Sequence, residues 1–233
     1  MAKPLNAIAA AVKQFEAGNV IVNLPTERAD EIGYLARSFL QMSKRLSSQV
    51  GDLQAREQHL QHLAHHDPLT GLPNRAMFQQ VLETMVDKAR ADGSRFCLMF
   101  IDLDKFKQVN DQLGHVVGDQ ALQLAAMRMR ASVRGDDLVA RLGGDEFTIL
   151  VRSFRHESDV TAMAQKLIHV FDQPFAVDGH EFEMTCSIGI SMFPQDGKDG
   201  DQLLNAADAA MYRAKLGTRS RLEWFSDLSR SAP

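Results

Sequence analysis

The sequence predicts an α/β chain of the α+β sandwich kind, with helices packed on a sheet, preceded by an all-α segment. Three observations carry that expectation. From Arg75 onward, apolar strand-like runs alternate with amphipathic helical stretches, the pattern of helices laid over a sheet. Two short apolar runs, "LVARL" and "EFTILV", are joined through Gly143 and Gly144, which suits a hairpin turn that needs positive φ. Ahead of both, Ile32, Leu35, Phe39, Met42, Leu46, Val50 and Leu53 recur at alternating spacings of three and four, the seam of a coiled coil.

Taken in order, the chain opens on a helix whose stripe is Ile8, Val12 and Phe15 and which ends near Gly18. An extended connector, "NVIVNLPTERAD", leads into the seam helix. Such a seam needs a partner chain, and two helix–connector–helix units would form a parallel four-helix bundle. The second part starts near "HHDPLTGLPNR". It is expected to run through a helix over about 75–91, the strand "RFCLMFIDLD", a helix over about 118–133, the glycine hairpin and a helix over about 159–171. A strand pair around "VDGHEFEMTCSIGISMF", the helix "QLLNAADAAMYRAK" and a last strand-like "RLEWF" follow.

The 233 residues are enough for one substantial domain plus a smaller element. With 30 acids against 26 bases, the net charge of −4 argues against broad nucleic-acid binding and against a polybasic membrane surface. A phosphate-bearing ligand would therefore need local positive charge. Cys97 and Cys186 lie in apolar strand-like runs and read as reduced, buried thiols of a cytosolic setting. No apolar run approaches the ~20 residues that span a bilayer, and "MAKPLNAIAA" lacks the apolar core of a signal peptide, so the chain as given is expected to be soluble.

The chemistry gathers at two strand ends. The run from Phe96 to Ile101 is apolar on both faces, which marks a central strand, and Asp102 and Asp104 emerge at its carboxyl end, where ligands bind in such sheets. Period-two alternation puts both acids on one face, with the Leu103 carbonyl available as an oxygen ligand. Asp145 and Glu146 follow the hairpin glycines directly. Neighbouring strand residues point to opposite faces, so simple pleating lets at most one of the two share a site with Asp102. The glycines leave room for a phosphate chain to approach the backbone. Two carboxylates and a carbonyl are the hard oxygen donors Mg²⁺ takes alongside water and substrate phosphates. On the residues alone, a charged turn without function fits the hairpin equally well.

"RLGGDEF" matches the signature of the GGDEF diguanylate cyclases, and so do "DPLTGLPNR", "IDLDKFKQVNDQLGHVVGD", "SIGIS" and "AADAAMYRAKLGTR". In these motifs the stretch 63–225 resembles that family. Pro4 near the first helix start and "ERADEIG" leading into the second make 4–50 similar to a HAMP signal-relay domain. The resemblances imply a HAMP domain over 1–50, a coiled-coil linker over 51–64, a palm-like cyclase domain with a central, mostly antiparallel sheet over 65–227, and a tail over 228–233. They also imply a cytoplasmic fragment of a protein that continues upstream into an inner-membrane segment and a sensor.

The family condenses two GTP into cyclic di-GMP, releasing two pyrophosphates, with one GTP held by each subunit of a homodimer. Carried onto this chain, the metal ligands are Asp102, the Leu103 carbonyl and Asp145, for Mg²⁺ or Mn²⁺. Asp145 is also the proposed proton acceptor, and Glu146 its essential neighbour. Asn110 and Asp119 are the guanine readers; a carboxylate accepts from guanine N1–H and N2–H₂, a donor pair adenine lacks. His115 between them would line the base pocket, or pack locally. Gly143 and Gly144 would border the substrate, and Lys107, Lys215 and Arg219 would hold its triphosphate. Lys215 and Arg219 are four apart at a helix end, hence on one face. Thr218 stands where the family usually has a glycine. "RGDD" matches the RxxD product-inhibition motif through Arg134 and Asp137, with Lys166 as the basic partner where arginine is commoner. Two other readings are a degenerate member that only binds nucleotide or cyclic di-GMP as a receptor, and a signalling adaptor. The retained acids argue against the first, and the adaptor leaves their clustering unexplained.

Overall fold

A computed structural model of the chain describes residues 2–16, 24–217 and 221–230. They divide into two compact units, Met1–Gln61 and His62–Pro233. The part of the expected connector over 19–23, and Gly18 ahead of it, lie outside the described residues.

The first unit is helical. Helix α1 (Ala2–Glu16) carries the expected stripe, and α2 (Glu31–His65) runs without interruption over the whole seam. Ile8, Ala11, Ala36 and Phe39 are buried, and the Phe15 ring meets Phe39 edge-on at 6.2 Å. Asp30 starts α2 by accepting from the Gly33 N–H at 3.1 Å, satisfying an otherwise orphan helix donor. Leu35, Met42, Leu46, Val50 and Leu53 remain exposed. No described helix is long and apolar enough to cross a membrane.

The second unit is the predicted sandwich. Its elements are α3 (Arg75–Asp92), β1 (Phe96–Leu103), α4 (Phe106–Leu113), α5 (His115–Ser132), β2 (Leu138–Gly143), β3 (Glu146–Val151) and α6 (Glu157–Phe171), then β4 (Phe175–Val177), β5 (His180–Phe182), β6 (Cys186–Phe193), α7 (Gly200–Leu216), β7 (Leu222–Trp224) and α8 (Phe225–Arg230). Five strands pair in the order β2-β3-β1-β6-β7, antiparallel except for β7 on β6. The apolar run of β1 does make it central. Its Cys97, Met99, Ile101 and Leu103 join the core under α4, α5 and α6. Its Phe96, Leu98 and Phe100 join a second core under α3 and α7. Asp102 continues the second series, which places it on the α7 face.

Two expectations are corrected. The helix anticipated over 118–133 begins at His115 and is preceded by a separate short helix, α4, whose Phe106 and Val109 seal the core. The strand pair anticipated around 177–193 is two different things. β4 and β5 form their own hairpin, closed by Asp178 and Gly179 at φ 49° and 77°, while β6 pairs with β1. All eight β6 residues are buried, so that strand needs cover on both faces and takes an interior place in the large sheet. A Cβ on Gly189 of β6 would fall 2.1 Å from the Ala207 carbonyl oxygen; its absence lets α7 lie directly on the sheet.

One side chain joins two helix ends. Asn74 Oδ1 accepts from the Met77 N–H at 3.1 Å and so caps α3, while its Nδ2 donates to the Ala64 carbonyl near the end of α2 at 2.9 Å.

Candidate active site

At the carboxyl end of β1, Asp102 is 13% exposed and its Oδ1 accepts from Lys215 Nζ at 2.6 Å. In register, Asp102 stands opposite Ser187 of β6 and Glu146 of β3. Asp104 lies past the strand end. Its carboxylate accepts from Thr185 Oγ1 at 2.6 Å and Ser187 Oγ at 2.8 Å, and its N–H donates to the Thr185 carbonyl at 2.8 Å.

The hairpin corrects the pleating argument. Gly143 and Gly144 adopt φ 146° and 52°, and the register shifts between Arg141 and Gly143. β3 therefore begins at Glu146, which is the acid facing Asp102 across the ladder. Asp145 belongs to the turn, where strand alternation does not apply, and its carbonyl accepts from the Leu103 N–H at 3.3 Å. Both acids thus border Asp102, one by register and one by the turn.

Three residues that sequence reasoning missed hold this turn. Arg141 donates to the Gly144 carbonyl through Nε at 3.1 Å and Nη2 at 2.8 Å, and through Nη1 to both Asp67 oxygens at 2.9 and 3.1 Å. Asp67 is fixed in turn by the Thr70 N–H and hydroxyl at 2.9 and 2.6 Å. Arg75 donates to the Leu142 carbonyl at 3.3 Å and reaches Glu146 Oε2 at 3.5 Å. The signal in the sequence is charge within a motif: Asp67 and Arg75 bound "DPLTGLPNR", and Arg141 opens "RLGGDEF".

Burial pushes the Asp102 carboxyl up, the charges of Asp145 and Asp104 add to that, and Lys215 only partly offsets it. Glu146 is raised likewise: burial pushes it up, Arg75 pulls against it, and the charges of Asp208, Asp145 and Asp102 add to burial. Burial works against the Lys215 ammonium, but its hydrogen bond to Asp102 and the charges of Asp102, Asp145 and Asp104 raise it overall. Lys215 thus leaves the Asp102 carboxyl raised, so one lysine does not offset burial and the neighbouring acids. Among the described residues no three His, Cys, Asp or Glu side chains converge as a metal cage. Two carboxylates and a backbone carbonyl nevertheless fit a hard divalent cation that completes its shell with water and phosphate oxygens.

The expected base-reading residues collect at the α4–α5 corner. Asn110 is half-buried on α4, His115 opens α5, and Asp119 is exposed one turn on. Gly114 makes the corner at φ 84°, its N–H donating to the Asn110 carbonyl at 3.0 Å. Lys107 is exposed on the first turn of α4. α7 ends at Leu216, and Arg219 lies outside the described residues, so the one-face helical argument does not extend to it.

The expected product-site residues are placed unevenly. Arg134 is exposed and lines an open groove of about 520 Å³ with Ser153, Phe154, Arg155 and Asp159. Asp137 is 4% exposed, and its two oxygens accept from the Arg134 and Arg152 N–H groups, each at 3.2 Å. Its carboxylate therefore shapes the loop from within. Lys166 Nζ donates to the Ser132 carbonyl at 3.2 Å.

Fold and site together define a palm-like domain with an acidic centre at the end of its middle strand. The chain belongs to the family described as Diguanylate cyclase, GGDEF domain, whose model matches residues 64–221; the HAMP domain model matches residues 1–48. Over 153 residues the chain is 46% identical to the bifunctional diguanylate cyclase/cyclic di-GMP phosphodiesterase MucR of Pseudomonas aeruginosa, covering 66% of this chain and 22% of MucR. It is 38% identical over 197 residues to the diguanylate cyclase TpbB of the same organism, covering 84% of this chain and 45% of TpbB. It thus spans less than half of either relative. The crystal structure of the coiled coil and GGDEF domain of DgcB from Caulobacter crescentus, in complex with cyclic di-GMP, matches with a TM-score of 0.67 at 27% identity, covering 78% of this chain and 98% of that one.

Proposed function

We propose that this chain is a diguanylate cyclase, condensing two GTP into cyclic di-GMP with release of two pyrophosphates. The observation that carries the proposal is the gathering of Asp102, Asp145 and Glu146 around the end of β1, with the Lys215 ammonium 2.6 Å from Asp102. On this reading 65–227 is the cyclase domain, 1–50 a HAMP relay and 51–64 the coiled-coil linker, and the protein works as a homodimer whose exposed α2 seam aligns two half-sites. TpbB is named a diguanylate cyclase, and the DgcB structure holds cyclic di-GMP, which supports the same substrate and product here.

Each subunit holds one GTP. Asn110 and Asp119 read the guanine edge, with His115 beside them; a hydrogen bond to a charged acceptor contributes about 1.5–3 kcal/mol, enough to prefer GTP over ATP. Lys107, Lys215 and Arg219 balance the triphosphate charge, and the side-chain-free Gly143–Gly144 turn leaves the phosphates room. Lys215 exchanges Asp102 for a phosphate oxygen as the nucleotide arrives. Asp102, the Leu103 carbonyl and Asp145 would hold a divalent cation, Mg²⁺ or Mn²⁺, which supplies charge neutralisation at phosphate oxygens when bound. The 3′-oxygen of one GTP attacks the α-phosphorus of the other, its proton passes to Asp145, and the bond to the β-phosphate breaks, releasing pyrophosphate. A second such step closes the ring. Arg75 holds Glu146 and Arg141 holds the turn, so the acids keep their places while charge moves.

Asp145→Ala should abolish cyclic di-GMP formation from GTP and Mg²⁺ while leaving the thermal unfolding transition unchanged. Turnover near that of the unaltered protein would remove this hairpin from the active site. For the second site, cyclic di-GMP is expected to bind the groove beside Arg134; binding by calorimetry that is unaltered in Arg134→Ala would reject that placement.

A further inference from the structure

Gly118 is a glycine that its own backbone does not call for. It lies within α5, is buried, and takes no left-handed conformation. A glycine there destabilises a helix relative to alanine, so something else must favour it. A Cβ built on Gly118 would stand 1.8 Å from Asn110 Oδ1 and 2.9 Å from Asn110 Cγ. The next nearest atom, Phe106 Cζ, is at an ordinary 3.5 Å. The space an alanine methyl would need is thus occupied by one thing, the amide of Asn110.

We infer that Gly118 is a positioning residue for nucleotide recognition: its missing side chain is the socket that holds the Asn110 amide against α5. Asp119 follows directly in sequence, so the socket fixes the two base-reading side chains relative to one another across the α4–α5 corner. The inference rests on the reading of Asn110 as a guanine reader and adds a residue that contacts no nucleotide itself. An alanine methyl would not block backbone. It would displace the end of a flexible side chain, so the helix survives and the reader moves.

The test is calorimetric binding of a non-hydrolysable GTP analogue, with Mg²⁺, to the whole chain and to Gly118→Ala, Asn110→Ala and the double variant. Gly118→Ala is expected to unfold at the same temperature or higher, because alanine is the better helix former. It is expected to bind the GTP analogue about two- to tenfold more weakly, the range for losing one hydrogen bond, with binding of the matching ATP analogue unchanged. Asn110→Ala should lose a similar factor, and the double variant no more than Asn110→Ala alone. Weakened binding in Asn110→Ala with unaltered binding in Gly118→Ala overturns the socket alone. Full additivity in the double variant does the same. Unaltered binding in Asn110→Ala overturns the guanine reading and the socket with it.

Discussion

Asp67 is 74 residues from Arg141 in sequence, yet it secures the turn that carries Asp145. Their side chains are 18% and 11% exposed, so removing the acid leaves a largely buried guanidinium under-compensated. Asp67→Ala is expected to lower stability by about 1–3 kcal/mol at neutral pH and to reduce turnover, as read by urea unfolding and cyclic di-GMP formation. The pH dependence has a definite sign. Burial pushes the Asp67 carboxyl up, but hydrogen bonds from Thr70 and Arg141 outweigh it and hold the group below its ordinary value. A carboxyl depressed by folding adds stability above its unfolded pKa of about 3.9 and loses it as pH falls through the lower folded value. The gap between the variant and the unaltered protein should therefore narrow in acid; a constant gap from pH 7 to pH 3 would contradict the ion-pair account. Asp102 and Asp145 were legible in the sequence because a strand end and a glycine turn advertise themselves locally. Asp67, Arg75 and Arg141 were not, because their partners are joined by folding and no periodicity links them.

The hairpin between β2 and β3 depends on two left-handed positions. An alanine Cβ at Gly143 would meet no neighbouring atom, so its penalty is conformational: φ is 146°, a region closed to L side chains. Gly143→Ala is expected to destabilise the domain by about 1–3 kcal/mol and to reduce synthesis by moving Asp145. If the variant matches the unaltered protein in both, the turn is not what places that acid. Element by element, the alternation of apolar runs revealed α3, β1, the hairpin, α6 and α7. Helix α4 was missed, although Phe106, Val109 and Leu113 have helical spacing, because eight residues are too few for periodicity to mark a helix. The pairing of β6 was missed for a deeper reason. Its partner β1 lies some ninety residues earlier, and the apolar pattern reports that a strand is buried, not beside which strand it lies.

At the scale of the whole molecule, the seam of α2 sets the prediction. Leu46 and Leu53 are 41% and 64% exposed in the single chain, and a coiled-coil partner would cover them. Burying a leucine contributes about 1.5–3 kcal/mol, so Leu46→Glu should weaken a dimer at least about tenfold. Sedimentation would show the shift to monomer, and specific activity, expected to rise with protein concentration, should fall at any fixed one. Activity per chain that is independent of concentration and of this substitution would exclude the dimer requirement. The helical first part was legible from periodicity alone, because a seam is a local pattern.

The Asn74 amide is bonded at once to the last turn of α2 and the first turn of α3, which couples the two helix ends. A turn of that end of α2 about its axis would either break the Asn74 bond to the Ala64 carbonyl or carry the first turn of α3 with it. Arg75, the next residue along, carries the charge that faces Glu146. On the proposed relay reading, a rotation of the last turn of α2 would reach Glu146 through two consecutive residues, Asn74 and Arg75.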